Sequence, residues 1–249
     1  MSDSAGVAWA GRHFESNSSA DDDGSAPEQL IAAIRDFQGG TAGESGVVDA
    51  VRESRLLVAL VAELGETGVS PLGHTVDKSQ ELSIVTVAGP DGRTVLPAFT
   101  SVTAMSAWNP LARPIPVAGS RVALAAVSEA TELVVLDPTS DTEFVLRRPA
   151  LWAIAQSEPW TPSYLDSEVL DAFMDAAAPE PAVLALTLAP GDPTGRLAGP
   201  ELVVRLALTE GLDRESLDAI VARLQSRWAA SEVITTRVDS LRVQLLSAV

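Results

Sequence analysis

Two short segments carry residue types at spacings from which a binding site could be built. The run TVLPAFTSVTAMSAW, residues 94–108, ends an apolar strand pattern in Thr100 and Ser101, just before a helical one. Backbone N–H groups at a helix start lack intrahelical partners, so together with the two hydroxyls they could hold a carboxylate or phosphate. The plainer use of the same atoms is capping, with a hydroxyl accepting from its own helix. In the second segment, Arg147 and Arg148 stand immediately before Pro149 at another helix start. Two guanidinium groups beside a positive helix end suit an amino-acid carboxylate or another anion. With 34 acids against 17 bases in the chain, they are also natural partners for nearby carboxylates. Trp160, between Pro159 and Pro162, is a candidate partner-contacting residue, since buried aromatic anchors dominate interfaces. Trp108 and Trp152 could belong to the core or to an interface.

No catalytic residue is assigned. The absence of cysteine removes thiolate catalysis, disulfides and cysteine metal sites. The two histidines, His13 and His74, lie far apart, and no acidic spacing supports a metal site with either. A Ser-His-Asp arrangement would need His74 as base, yet no serine sits in a nucleophile context. Gly43-Glu44-Ser45-Gly46 only resembles a nucleophile elbow: its second glycine falls one position early, and no convincing strand precedes it. No phosphate-binding glycine loop is present. The chain is read as a non-enzyme without cofactor or metal.

Charge narrows the partners. The net charge of −17 divides as −5 over residues 1–29, −6 over 30–159 and −6 over 160–249. No segment is basic, which argues against nucleic acid and anionic membrane surfaces. A protein partner, best a basic one, is electrostatically favoured. The start, MSDSAGVAWAGRHFESNSS, lacks the pattern of a secretion signal. The longest apolar stretch, Leu56–Ala62, cannot span a bilayer. The expected location is the cytoplasm.

The 249 residues, 46% of them hydrophobic, are enough for one large core or two modest ones. Residues 1–26, rich in Ser, Asp, Gly and Ala, read as a disordered acidic tail. Residues 27–158 read as a mixed-sheet α/β (α+β) domain. Its helices follow Pro27, begin near Glu44, run up to Trp108, open at Gly119-Ser120 and start at Pro149. Its strands are Arg55–Ala62, Leu133–Leu136, Thr142–Leu146 and a hairpin in which Leu82–Ala88 and Arg93–Phe99 flank Gly89-Pro90-Asp91-Gly92. The proline-rich stretch Glu158–Pro162 marks a boundary. Residues 159–249 read as a smaller α+β module. After a helix near Ser167–Ala178 they have the order β-β-α-β-β, with strands at Val183–Leu188, Glu201–Leu208, Val233–Val238 and Leu241–Leu246. Its helix at 213–229 carries the apolar stripe Leu217, Ile220, Val221, Leu224 and Trp228, with Asp213 as cap. The terminal strand could pair across a two-fold, so a homodimer is an open alternative.

The segments LPAFTSVTAMSAW (96–108), RPIPVAG (113–119), LVVLDP (133–138) and FVLRRPALWAIA (144–155), in this order, resemble the N-terminal domain of the SseB-like family. The family label refers to enhanced serine sensitivity. The length and β-rich C-terminal half also resemble the actinobacterial members. The resemblance implies a compact mixed α/β domain over roughly residues 45–157, and no catalytic residues. A sulfurtransferase sharing the name would need the cysteine that this chain lacks. Two functions follow as expectations. One is a non-enzymatic interaction or regulatory protein. The alternative is a small-molecule module for an amino acid or another anion, built on Thr100, Ser101, Arg147 and Arg148.

Overall fold

The computed structural model describes residues 22–62, 68–69, 75–76, 82–128 and 131–246. His13 and His74 lie outside them. The first elements among the described residues are two helices, α1 (Glu28–Gln38) and α2 (Glu44–Glu53), followed by β1 (Arg55–Ala62). Short strands β2 (Gly68–Val69), β3 (Thr75–Val76), β4 (Leu82–Ile84) and β5 (Val87–Ala88) lead to β6 (Thr94–Phe99) and α3 (Val102–Trp108). Then come β7 (Arg113–Ala118), α4 (Gly119–Ser128), β8 (Leu133–Leu136), β9 (Phe144–Arg147) and α5 (Arg148–Gln156). The C-terminal half has α6 (Ser167–Ala177), β10 (Val183–Pro190), β11 (Leu202–Leu208), α7 (Arg214–Ala230), α8 (Glu232–Arg237) and β12 (Leu241–Leu246).

Helices and mixed sheets make this an α+β fold. The first sheet runs β4-β1-β6-β8-β9, with β7 on the other side of β1 and β5 beside β6. Strands β6 and β8 are parallel, and the other pairings are antiparallel. Strands β1, β6, β8 and β9 are apolar without alternation because both of their faces are covered. On one face Leu56, Val58, Leu96, Ala98, Val134, Leu136, Phe144 and Leu146 meet α1, α2, α4 and α5. On the other, Leu57, Ala59 and Phe99 meet Met105 and Trp108 of α3. Beside them Val95, Leu133, Val135 and Val145 meet Leu197, which arrives from the β10–β11 loop. The Gly195 carbonyl of that loop accepts the Val145 N–H at 2.7 Å. The C-terminal half thus contributes side chains to the second face of the N-terminal sheet, while its own core, built on Phe173, Leu206, Leu224 and Trp228, lies apart.

Four sequence expectations change. The segment Val233–Val238 is helix α8, not a strand. Ser231 Oγ accepts the Ile234 N–H, and Ile234 and Val238, four apart, both turn inward. The module is therefore β-β-α-α-β after α6, and β12 returns parallel to β11. The segment Arg113–Ala118, to which no strand was assigned, pairs with β1 along its whole length. Pro114 and Pro116 are two apart, so their missing N–H groups fall on one side, the free edge. The hairpin around Gly89–Gly92 forms, but only Val87 and Ala88 pair with β6, while Leu82–Ile84 joins β1 instead. Finally, residues 22–26, read as the end of a tail, are fastened. Asp22 binds Arg55 at 2.6 Å, and the Gly24 carbonyl accepts the Val102 N–H at 3.0 Å.

Candidate functional site

Helix α5 begins where β9 ends, and this junction separates the two arginines. Arg147 is the last residue of β9, and strand alternation sends its side chain to the second face of the sheet. There it is buried, donating to Asp192 at 2.7 Å, Asp239 at 3.1 Å and the Gly199 carbonyl at 2.9 Å. Arg93 donates to both oxygens of Asp239 at 3.0 Å. Arg148 is the first residue of α5 and points elsewhere. It donates to the Thr235 and Val238 carbonyls at 2.9 and 2.7 Å, which are orphan acceptors at the end of α8. The pair does not converge on a single ligand. Thr100 and Ser101 are also engaged internally. Thr100 donates its N–H and its hydroxyl to Asp137 at 2.7 and 2.6 Å, and Ser101 Oγ accepts the Ala104 N–H at 3.1 Å as the α3 cap.

What α5 does create is a cleft of about 570 Å³ between the two halves of the chain. One wall is the outward stripe of α5, where Arg148, Trp152 and Gln156 recur every four residues. The inward residues Leu151 and Ile154 are buried, which leaves Trp152 51% exposed. The second wall is the segment 158–166, where Trp160 packs against the N-terminal core and still borders the cleft. The third is the end of α8, with Arg237 held by Asp166 at 2.9 Å and Glu168 at 2.6 Å. Two smaller clefts, of about 200 and 360 Å³, also border Arg148. The larger of these is bordered by Trp228, whose buried Nε1 has no partner among the described residues.

Behind Trp160 lies a pair of carboxyls, Glu201 buried and Glu44 half-buried. Glu44, the first residue of α2, and Glu201, just before β11, both border a gap of about 10 Å³, barely the room of one water. Burial and then the neighbouring Glu201 push the Glu44 carboxyl up to about 7, against a smaller opposing pull from Arg147. Burial also raises Glu201, although it accepts the Asp239 N–H at 2.6 Å and Ser163 lies beside it. Burial and these two acids push the Tyr164 phenol to about 12.

Sequence reading singled out Trp160 but left Trp152 undecided, and it missed Glu44, Glu201 and Arg237. Trp152 had a signal: it is four residues from Arg148, on the side of α5 opposite Leu151 and Ile154. The glutamates had none, because their meeting depends on how the halves pack. Among the described residues, no group of three or more acidic side chains or histidines is placed to hold a metal, and no helix is long and apolar enough to cross a membrane. Ser45 lies within the first turn of α2, behind Gly43 as its cap.

Neither a curated protein nor a solved structure matches the chain. The family model for the SseB protein N-terminal domain matches residues 28–153, just over half of the sequence, and its span runs from the first residue of α1 into α5. The four quoted segments fall inside that match or end two residues beyond it, and two of them meet through Thr100 and Asp137, so the chain belongs to the SseB family.

Proposed function

We propose that this chain is a non-enzymatic interaction or regulatory protein that holds a protein partner at the cleft bordered by α5, segment 158–166 and α8. The observation that carries the reading is Trp152, half exposed on the wall of a large cleft that Trp160 also lines. An exposed aromatic beside a second, fixed aromatic and an arginine is the composition of an interface anchor. The net charge of −17 favours a basic partner. The reading takes the cytoplasm as the location, an actinobacterial type of SseB protein, and 27–158 and 159–249 as the two modules whose junction forms the site.

The anion-binding alternative has less support, since a ligand at Arg147 would have to displace Asp192, Asp239 and Gly199. The test is affinity capture from cytosol with the full chain, in parallel with Trp152→Ala. A defined set of proteins retained by the parent and lost by the variant supports the reading. Identical capture by both, or none by either, overturns it.

A further inference from the structure

Sheets expose backbone donors and acceptors at their edges, and native proteins blunt those edges. Nearly every edge here is blunted. Strand β7 carries Pro114 and Pro116. Strand β10 has a register break between Val183 and Ala185 and ends in Pro190. The edge of β9 meets the β10–β11 loop through the Val145 N–H. Strands β4 and β5 are no longer than three residues. Strand β12 differs. It pairs in unbroken register with β11 over six residues, contains no proline or bulge, and has no other partner among the described residues.

The surroundings of that edge are chemically specific. On the helix-bearing face, Leu245 near the end of β12 joins Leu208, Leu212 and Leu217 around an open groove of about 340 Å³, which Leu246 borders from the other side of the strand. Both β12 leucines are more than 40% exposed. On the opposite face the register places Arg205 beside Gln244, and Arg242 beside Val203. Arg205 Nε donates to Gln244 at 3.2 Å, and neither arginine forms an ion pair among the described residues. No carboxylate stands among the in-register residues of that face, in a chain with twice as many acids as bases.

We infer that β12 is a docking edge for an extended partner strand whose residues alternate between apolar, facing the leucine groove, and acidic, facing Arg205 and Arg242. Main-chain hydrogen bonds to the free side of β12 supply attachment, and the two faces supply selection. A second copy fits less well. Its β12 would bring two further arginines onto a face that already carries two, with no acid to pair with them. The surface is separate from the cleft at α5 and does not depend on its function.

The probes are blocked peptides of about seven residues, long enough to pair with all of β12, alternating valine with glutamate or valine with lysine. The valine-glutamate peptide should bind, weaken as salt rises, and slow hydrogen exchange at alternate β12 amides. Arg205→Glu with Arg242→Glu, both exposed positions, should weaken it roughly tenfold or more and reverse the preference towards lysine. N-methylation along one edge of the peptide should abolish binding. Equal binding of both peptides, or binding that leaves β12 amides unchanged, overturns the inference. So does protection of those amides in the free protein, in the monomer or in a concentration-dependent dimer, since the edge would then already be covered.

Discussion

The Thr100 hydroxyl donates to the Asp137 carboxylate at 2.6 Å, across the C-terminal ends of the parallel strands β6 and β8. The same carboxylate accepts the Thr100 N–H at 2.7 Å and the Thr142 hydroxyl at 2.8 Å, and both Thr100 and Asp137 are about 1% exposed. Asp137 adopts φ +42°, a left-handed geometry that aspartate tolerates better than most residues, and its N–H returns to the Ala98 carbonyl. The FTS and LVVLDP segments are thus two halves of one buried joint. Asp137→Ala leaves the buried N–H and hydroxyl of Thr100 unpaired, and the Thr142 hydroxyl with Ser140 alone, and should cost about 2–4 kcal/mol. Asp137→Asn, which keeps an acceptor, should cost less, and Thr100→Val about 1–2 kcal/mol. Denaturant melts of the three variants check the order.

Arg147 is expected to matter for stability rather than for a ligand. Its removal takes the paired cation from Asp192, whose side chain is 3% exposed, and leaves Asp239, 0% exposed, with Arg93 alone. Arg147→Ala should cost about 3–5 kcal/mol. Asp192 also accepts N–H groups of Arg196, Leu197 and Ala198, which hold Leu197 against the second face of the sheet. Asp192→Ala should therefore speed hydrogen exchange in residues 191–199 and β9 together. If the exchange of β9 does not change, the loop is not what protects it.

Gly119 closes the RPIPVAG segment for a steric reason. A Cβ there would lie 2.0 Å from the Val51 carbonyl, and the Gly119 N–H already donates to Ser54. Gly119→Ala should destabilise by about 3 kcal/mol. Gly46→Ala, in α2 with nothing within 4 Å of the new methyl, should instead stabilise by about 0.5–1 kcal/mol. Thermal melts of the two variants should move in opposite directions.

These sites mark how far sequence reasoning reached. Strands β1, β6, β8 and β9 and helices α5 and α7 are legible because apolar runs, caps and prolines are local signals. Strand β7 was hidden by its prolines, which normally argue against a strand and here only mark an edge. Helix α8 was misread because Val233, Ile234 and Val238 suit a strand by residue type, and the six-residue segment shows less than two turns of helical period. Arg147 and Arg148 looked equivalent as neighbours, yet the strand-to-helix change between them sends one into the interior and the other to the cleft. Glu44 and Glu201 are separated by most of the chain, so only the packing of the halves brings them together.

That carboxyl pair predicts a pH dependence with a definite sign. Glu44 is raised in the folded protein to about 7 from its usual value near 4.5, so the folded state binds more protons than the unfolded state between these limits. Stability therefore falls as pH rises through this window, and the penalty is fully present above about 7 and absent below about 4.5. The neighbouring Glu201, itself raised, adds to the slope in the same direction. Glu180 works the opposite way. Arg223 and Arg227 hold it down to about 2, so its contribution is lost only in much stronger acid. Glu44→Gln should match the parent near pH 4.5 and exceed it by about 1–2 kcal/mol at pH 8, allowing for partial solvent access. Denaturant melts of both proteins from pH 4.5 to 8.5 check this. Parallel curves across that range would show that Glu44 ionises as freely folded as unfolded, and that the gap behind Trp160 admits water.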